Sequence, residues 1–265
     1  MPVSQARAWT GAEIQQAILL YCQLTFGKLH QRQPDVIALA HKLQRTPSSI
    51  AMKLVNLASL DPAIRLSGRA GLGNASKLDQ EVWNQFMADW DGTISHSIKS
   101  DYLEDQKAEP LFNESLNEPA INEPLAPASF IGETKQVMMT QRVKQSFFRK
   151  MILASYDSKC CMSGVPIPQL LIASHIIPWS KDAANRLNPS NGLCLSALHD
   201  RAFDQGFISL NDSFEVCISP ELKKKADVFT QQSLISLEGK TIKMPDRFLP
   251  STSCIQWHRA NVFRN

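Results

Sequence analysis

Over residues 1–90 apolar side chains recur at helical spacing between polar ones. Thr10-Gly11-Ala12-Glu13 sets an N-cap threonine three residues ahead of a glutamate, the capping-box spacing, and Ile14, Ala17, Ile18 and Tyr21 follow on one face. A second helix is predicted from about Pro34 to Leu43, with Val36, Ile37, Ala40 and Leu43 inward. Thr46-Pro47, an N-cap with proline at the first helical position, starts a third helix carried by Ile50, Leu54 and Leu57. The short Gln44-Arg45-Thr46 connection suits a helix-turn-helix, in which Ser48, Ser49, Lys53 and Asn56 lie on the exposed side of the third helix. A packing or dimerisation module would show the same pattern. A glycine-rich turn at Gly68–Gly73 lacks the Gly-Lys-Ser/Thr of a phosphate loop, and a helix from Lys77 to Trp90 closes the block.

The pattern breaks over residues 91–135, where Asn-Glu-Pro recurs at 117–119 and 122–124 and large apolar residues are sparse. Such a stretch reads as a linker. Helical spacing returns with Val143, Phe147, Met151 and Leu153, whose opposite side carries Arg142, Lys144, Arg149 and Lys150. Short strand-like runs and turns follow. The expected class is α+β, with a helical, helix-turn-helix-like DNA-recognition domain over 1–90, an acidic proline-containing linker over 91–135 and a second domain over 136–265.

The net charge of +3 becomes informative once it is divided along the chain. Residues 1–90 carry nine basic and six acidic side chains, residues 91–135 three and nine, and residues 136–265 sixteen and ten. Two basic blocks flank an acidic connector, as a polyanion-binding protein requires and as a solvated surface also allows. No apolar run approaches the roughly 20 residues that span a bilayer. The start, Met1-Pro2-Val3-Ser4-Gln5, lacks the features of a secretory signal, so the cytoplasm is the default expectation. The cysteines at 22, 160, 161, 194, 217 and 254 form no C-x-x-C pair, which argues against a disulfide framework and against a structural zinc.

Candidate chemistry is concentrated in one segment. An apolar run ends in Ser174-His175-Ile176-Ile177-Pro178-Trp179; Asn188-Pro189-Ser190-Asn191-Gly192-Leu193-Cys194-Leu195 follows, and then Leu198-His199-Asp200-Arg201-Ala202-Phe203-Asp204-Gln205-Gly206. We read a strand ending at His175, a turn at Asn191-Gly192, a return strand at Leu193–Leu195 and a helix from Ser196. Cleaving a phosphodiester needs a nucleophilic water, a base to deprotonate it and positive charge at the leaving oxygen. His175, titrating near neutrality, can accept the proton. Asn191 can bond across the hairpin and hold it in register.

This arrangement resembles the HNH endonucleases, which have the ββα-metal fold, and within them a bacterial restriction-endonuclease-like branch. Arg142-x-x-Gln145-x-x-Phe148-Arg149, Tyr156-Asp157-x-x-Cys160-Cys161-x-Ser163-Gly164, Gly239-x-x-Ile242-x-x-Pro245 and Trp257-His258-Arg259-x-x-Val262-Phe263 extend the likeness over about residues 140–264. The resemblance implies catalytic His175, Asn191 and His199, with His175 as general base and His199 as a ligand of Mg²⁺, Mn²⁺ or another divalent metal. Many family members carry Asp or His before the base, where this chain has Ser174. The missing carboxylate is then expected from Asp204 first and Asp200 second. The implied partner is double-stranded DNA, without a membrane, and cutting both strands would need a homodimer or two binding events. Arg142, Arg149, Lys150, Lys181, Arg186, Arg201, Lys53 and Asn56 are the candidate DNA contacts. Trp257-His258-Arg259 reads as packing with a phosphate contact, and Lys223-Lys224-Lys225 as a solvated face. The resemblance suggests a role in restriction or defence; an inactive DNA-binding regulator and a toxin nuclease are the alternatives.

Overall fold

The computed structural model of the chain describes residues 7–66, 73–95, 97 and 132–265. Most of the expected linker and of the glycine-rich turn lies outside the described residues. The N-terminal helices are α1 (Gly11–Gln23), α2 (Pro34–Lys42), α3 (Pro47–Ala58), α4 (Pro62–Leu66) and α5 (Lys77–Ala88). Three of their starts are capped as local chemistry dictates. Thr10 and Glu13 form the capping box of α1, Thr46 accepts from the Ser49 amide ahead of Pro47, and Ser76 and Asp79 form a second capping box on α5. Gln44, with φ of 51°, turns the chain from α2 into α3 as the Arg45 amide donates to the Ala40 carbonyl.

The polar residues of this block pair with one another. Arg45 donates to both carboxylate oxygens of Glu13, at 3.2 and 2.9 Å, and Arg7 reaches one of them at 2.6 Å. Burial alone would raise the Glu13 pKa, but the bonds from Arg45 and the Thr10 amide hold it down at about 2. Lys53 corrects the expectation of an exposed basic face on α3. Only 6% exposed, its Nζ lies 2.6 and 2.9 Å from the two oxygens of Asp79 and 4.8 Å from the centre of the Trp9 ring. Asn56 is half-buried as well. The face holding Lys53 turns inward because α5 brings Asp79 to meet it, a partner that helical spacing within α3 cannot reveal.

Helix α6 (Gly132–Ser155) joins the two ends of the molecule, packing against α1 on one side and against a β-hairpin on the other. The hairpin pairs β1 (Leu171–His175) antiparallel with β2 (Gly192–Ser196), His175 opposite Gly192 and Leu171 opposite Ser196. Helix α7 (Ala197–Asp204) follows at once, with the Ser196 side chain accepting from the His199 amide as its N-cap. It stops at Gly206, whose φ of 71° and amide bond to the Phe203 carbonyl, with the Phe207 amide reaching the Ala202 carbonyl, form a Schellman ending. A second hairpin, β3 (Ile208–Leu210) with β4 (Val216–Ile218), leads to α8 (Pro220–Lys224), α9 (Val228–Ser233) and α10 (Thr252–Asn261). The fold is α+β, with helices leading and the hairpin–helix unit in the C-terminal part. Among the described residues no helix is long and apolar enough to cross a membrane.

A single buried core runs through both ends of the chain. Arg247 and Phe248, in the segment before α10, insert among the N-terminal aromatics. Phe248 meets Tyr21 and Trp90 edge-on, and the fully buried Arg247 donates to the Tyr21 carbonyl and lies over the Tyr21 ring.

Candidate active site

His175 is the last residue of β1, and two aromatic rings pack against its imidazole. Phe148 of α6 stacks on one face at 4.0 Å between ring centres and 10° between planes, and Trp179 meets the ring edge-on at 5.4 Å. Nε2 lies 2.9 Å from the carbonyl oxygen of Arg186. A carbonyl only accepts, so Nε2 carries the proton in this bond and Nδ1 is left with a lone pair. Burial lowers the His175 pKa, only partly opposed by the bond to Arg186. The imidazole is therefore neutral and basic near pH 7, as a general base must be.

The loop from 176 to 191 joins the two strands, and Asn191 closes it. Buried at its root, Asn191 accepts from the Ile177 amide at 2.8 Å and donates to the carbonyls of Ile177 and Asn185 at 3.1 and 3.3 Å, while its own carbonyl accepts from the Ile176 amide. These bonds tie both ends of the loop to the residues after His175. Asn191 thus fixes the backbone that follows His175. Gly192 starts β2 because α6 passes so close: a Cβ there would fall 2.8 Å from the Phe148 ring and closer still to Ile152.

Asp200 and Asp204 stand one turn apart on α7, and the Asp200 carboxylate raises the proton affinity of Asp204. Asp204 is pushed up to about 6, by loss of water first and then by the Asp200 carboxylate, with Arg201 opposing. Its side chain is exposed at the surface. Asp200 is buried and raised as well, mainly by desolvation. The Ser174 hydroxyl faces Asp200 and favours its ionised form, yet Oγ is buried without a partner in hydrogen-bonding geometry. Two crowded carboxylates beside an unsatisfied hydroxyl form a cation-seeking arrangement.

His199 is turned elsewhere. It is 4% exposed, its Nδ1 lies 2.7 Å from Ser196 Oγ and 3.6 Å from Cys160 Sγ, and its Nε2 lies 3.1 Å from the Ser233 carbonyl. Burial alone would raise the Cys160 pKa, but its bonds to His199 and Ser163 bring it down to about 6. The His199 pKa moves up, with desolvation opposing and Cys160 dominating the rise. The pair tends toward thiolate and imidazolium. Both ring nitrogens are engaged, and His199 shares no bonded or ring partner with His175. The expectation that the two imidazoles face one cation does not fit this geometry, because the N-cap of α7 and the Cys160 turn claim the His199 ring. Among the described residues no group of three His, Cys, Asp or Glu side chains is placed to share a metal ion.

The candidate DNA contacts separate by their partners. Arg142, Lys181 and Arg201 are exposed. Arg149 donates to the carbonyls of Leu171 and Pro168 and so anchors the start of β1. Arg186 donates through Nε to the Trp179 carbonyl and lies over its ring, and Lys150 is half-buried. Lys53 and Asn56 sit far along the chain, on inward positions of α3. Arg259 pairs with Asp212 and His258 is buried behind α7, so the Trp257-His258-Arg259 stretch serves packing. Lys223 and Lys225 are exposed and paired with Glu238 and Glu221. Residue patterns did not assign Phe148, Trp179 and the Arg186 carbonyl to the site. Phe148 lies within the Gln145-x-x-Phe148-Arg149 motif, a signal in the sequence that carries no role by itself.

A strand-end histidine, a short return strand and a helix bearing two carboxylates make a hairpin–helix unit of the ββα nuclease type. The family described as HNH endonuclease matches residues 160–211, and this part of the chain is an HNH endonuclease domain. The match runs from the Cys160 turn through both strands and α7 to β3, taking in His175, Asn191, Asp200 and Asp204. No curated protein matches the chain.

Proposed function

We propose that the chain hydrolyses DNA phosphodiester bonds with a divalent metal ion, Mg²⁺ or Mn²⁺, and that it serves restriction or another defence against foreign DNA. The observation that carries the chemistry is His175, whose Nε2 bond to the Arg186 carbonyl leaves Nδ1 free to accept a proton. In this reading Nδ1 of His175 takes the proton of the attacking water, Asn191 keeps the loop closed behind it, and Asp200 and Asp204 hold the cation with Ser174 beside them. The cation, when bound, supplies positive charge to the phosphate and to the leaving oxygen. Two carboxylates suffice for Mg²⁺, which often binds protein through one or two carboxylates and completes its shell with water and substrate phosphate. His199 is assigned to the frame of the domain and not to the metal.

Arg142, Lys181 and Arg201 would meet the phosphates, a sequence-blind and salt-sensitive interaction. The N-terminal helices would contribute recognition through surfaces other than the Lys53 face. Each domain carries one site, so a double-strand cut would take two copies of the chain or two encounters.

Nicking of supercoiled plasmid with Mg²⁺ or Mn²⁺ tests the reading. The expected result is nicking by the wild type and its loss in His175→Ala and in Asp200→Asn/Asp204→Asn. DNA binding without nicking under any divalent metal would leave a DNA-binding protein with an inactive nuclease frame.

A further inference from the structure

We propose that Phe148 is a positioning residue for the base: by lying flat on the His175 imidazole it fixes the orientation in which Nε2 donates to the Arg186 carbonyl and Nδ1 faces the reaction. The inference rests on the proposed role of His175. A neutral imidazole has two tautomers and can also rotate about its Cβ–Cγ bond, which exchanges its nitrogens with its carbons. One backbone carbonyl at 2.9 Å selects a tautomer but does not block rotation. Rotation is blocked by shape. Phe148 covers one face at 4.0 Å and 10°, Trp179 stands edge-on at 5.4 Å, and Arg186 donates to the Trp179 carbonyl, so the carbonyl holding Nε2 and the second ring against the imidazole belong to one braced loop.

Phe148 reaches the imidazole because of a gap in the hairpin. Gly192 is the register partner of His175, and any side chain there would strike the Phe148 ring and Ile152. Phe148 is itself nearly inaccessible to solvent, packed in the core between α6 and the hairpin. The Phe148 ring, the glycine and the imidazole form one stack from α6 through β2 to β1, placed so that the helix preceding the nuclease unit sets the orientation of its base. A shift of about 1 Å in a reacting group can cost on the order of 100-fold in rate, so this stack bears on turnover and not on affinity.

The test uses the full-length chain. Phe148→Leu is expected to lower kcat for plasmid nicking by about 10- to 100-fold with KM within about twofold. In metal-free protein near pH 8, the ¹⁵N imidazole shifts of His175, assigned against His175→Ala, are expected to report one Nε2–H tautomer in the wild type and averaged shifts in Phe148→Leu, because a ring free to rotate leaves the Arg186 carbonyl that selects the tautomer. Phe148→Tyr, which keeps the ring face, should restore most of kcat and the single tautomer. Gly192→Ala, which pushes the ring aside, should reproduce the loss. A folded Phe148→Leu protein with wild-type kcat, or with the wild-type nitrogen pattern, overturns the proposal. If Phe148→Leu does not fold, Gly192→Ala with an unaltered tautomer overturns it equally. Should the wild type fail to nick, the proposed function falls, while the nitrogen spectra still decide whether Phe148 orients His175.

Discussion

Adjacent side chains on α7 do opposite work, and the reason is local. At residue 199 the imidazole bends back to the hydroxyl of its own N-cap and to Cys160, whereas Asp200 faces Ser174 on β1. His175→Ala should therefore lower nicking by about 100- to 10,000-fold, the usual worth of a general base. His199→Gln should leave the Mg²⁺ concentration at half-maximal nicking within about threefold of wild type while lowering the melting temperature, because it loses buried hydrogen bonds and no metal ligand. Metal titration of nicking and thermal melts separate the two. Asp204 yields a second residue-scale prediction. Its folded carboxyl keeps a proton up to about pH 6, and the reference value is 3.8, so the native chain binds more protons between these values. Stability from this group thus falls as pH rises through that window, and the full cost is present above it. In metal-free protein Asp204→Asn should stabilise by about 1 kcal/mol at pH 8, a figure reduced for solvent screening at this exposed site, and the gain should vanish near pH 3.5. Denaturant melts at the two pH values check this.

At the scale of elements, the hairpin and α7 are held from behind by α10. His258 of α10 stacks on Phe203 of α7 at 3.7 Å between ring centres; its Nε2 donates to the Phe203 carbonyl at 3.1 Å and its Nδ1 accepts from Ser209 of β3 at 2.9 Å. One ring thereby joins three elements. Burial lowers its pKa from 6.5 to about 4, so between these values the unfolded chain binds the extra proton. Stability from this group is complete above pH 6.5 and is lost as pH falls toward 4, by about 3 kcal/mol at most. Wild-type melting temperature should fall over that range. His258→Gln should start lower at pH 7 and show a shallower slope.

For the whole molecule, the N-terminal helices and the nuclease unit share a core, and Arg247 with Phe248 forms part of the contact between them. Arg247 is wholly buried with Nε and Nη2 unsatisfied, and its charge bears on buried Asp61, which accepts from the Tyr21 hydroxyl at 3.0 Å. Arg247→Ala should destabilise by about 3–5 kcal/mol by opening a cavity and leaving Asp61 without its opposing charge. Calorimetry should then show the single transition broadening or splitting as the two parts uncouple. Arg247→Met, which fills the space but likewise removes the charge opposite Asp61, should cost less than Arg247→Ala by the cavity part of the loss. An unchanged melt for Arg247→Ala would mean that this contact does not join the two parts.

By itself, the sequence determined the helix starts, the hairpin–helix order and the His175–Asn191 framework. Capping boxes, an N-cap before proline, apolar periodicity and a glycine beside the asparagine act over a few residues, and local chemistry decides them. Tertiary structure alone decided the directions of the side chains. Lys53 looks solvent-facing until α5 brings Asp79 to it, and His199 looks like a ligand until Cys160 and Ser233 arrive from distant parts of the chain. Phe148 looks like ordinary core until Gly192 lets it reach the His175 ring. A helix fixes where a Cβ points, but the fate of a charged or aromatic group depends on partners that only packing brings within 3 or 4 Å, and those partners are not written at neighbouring positions.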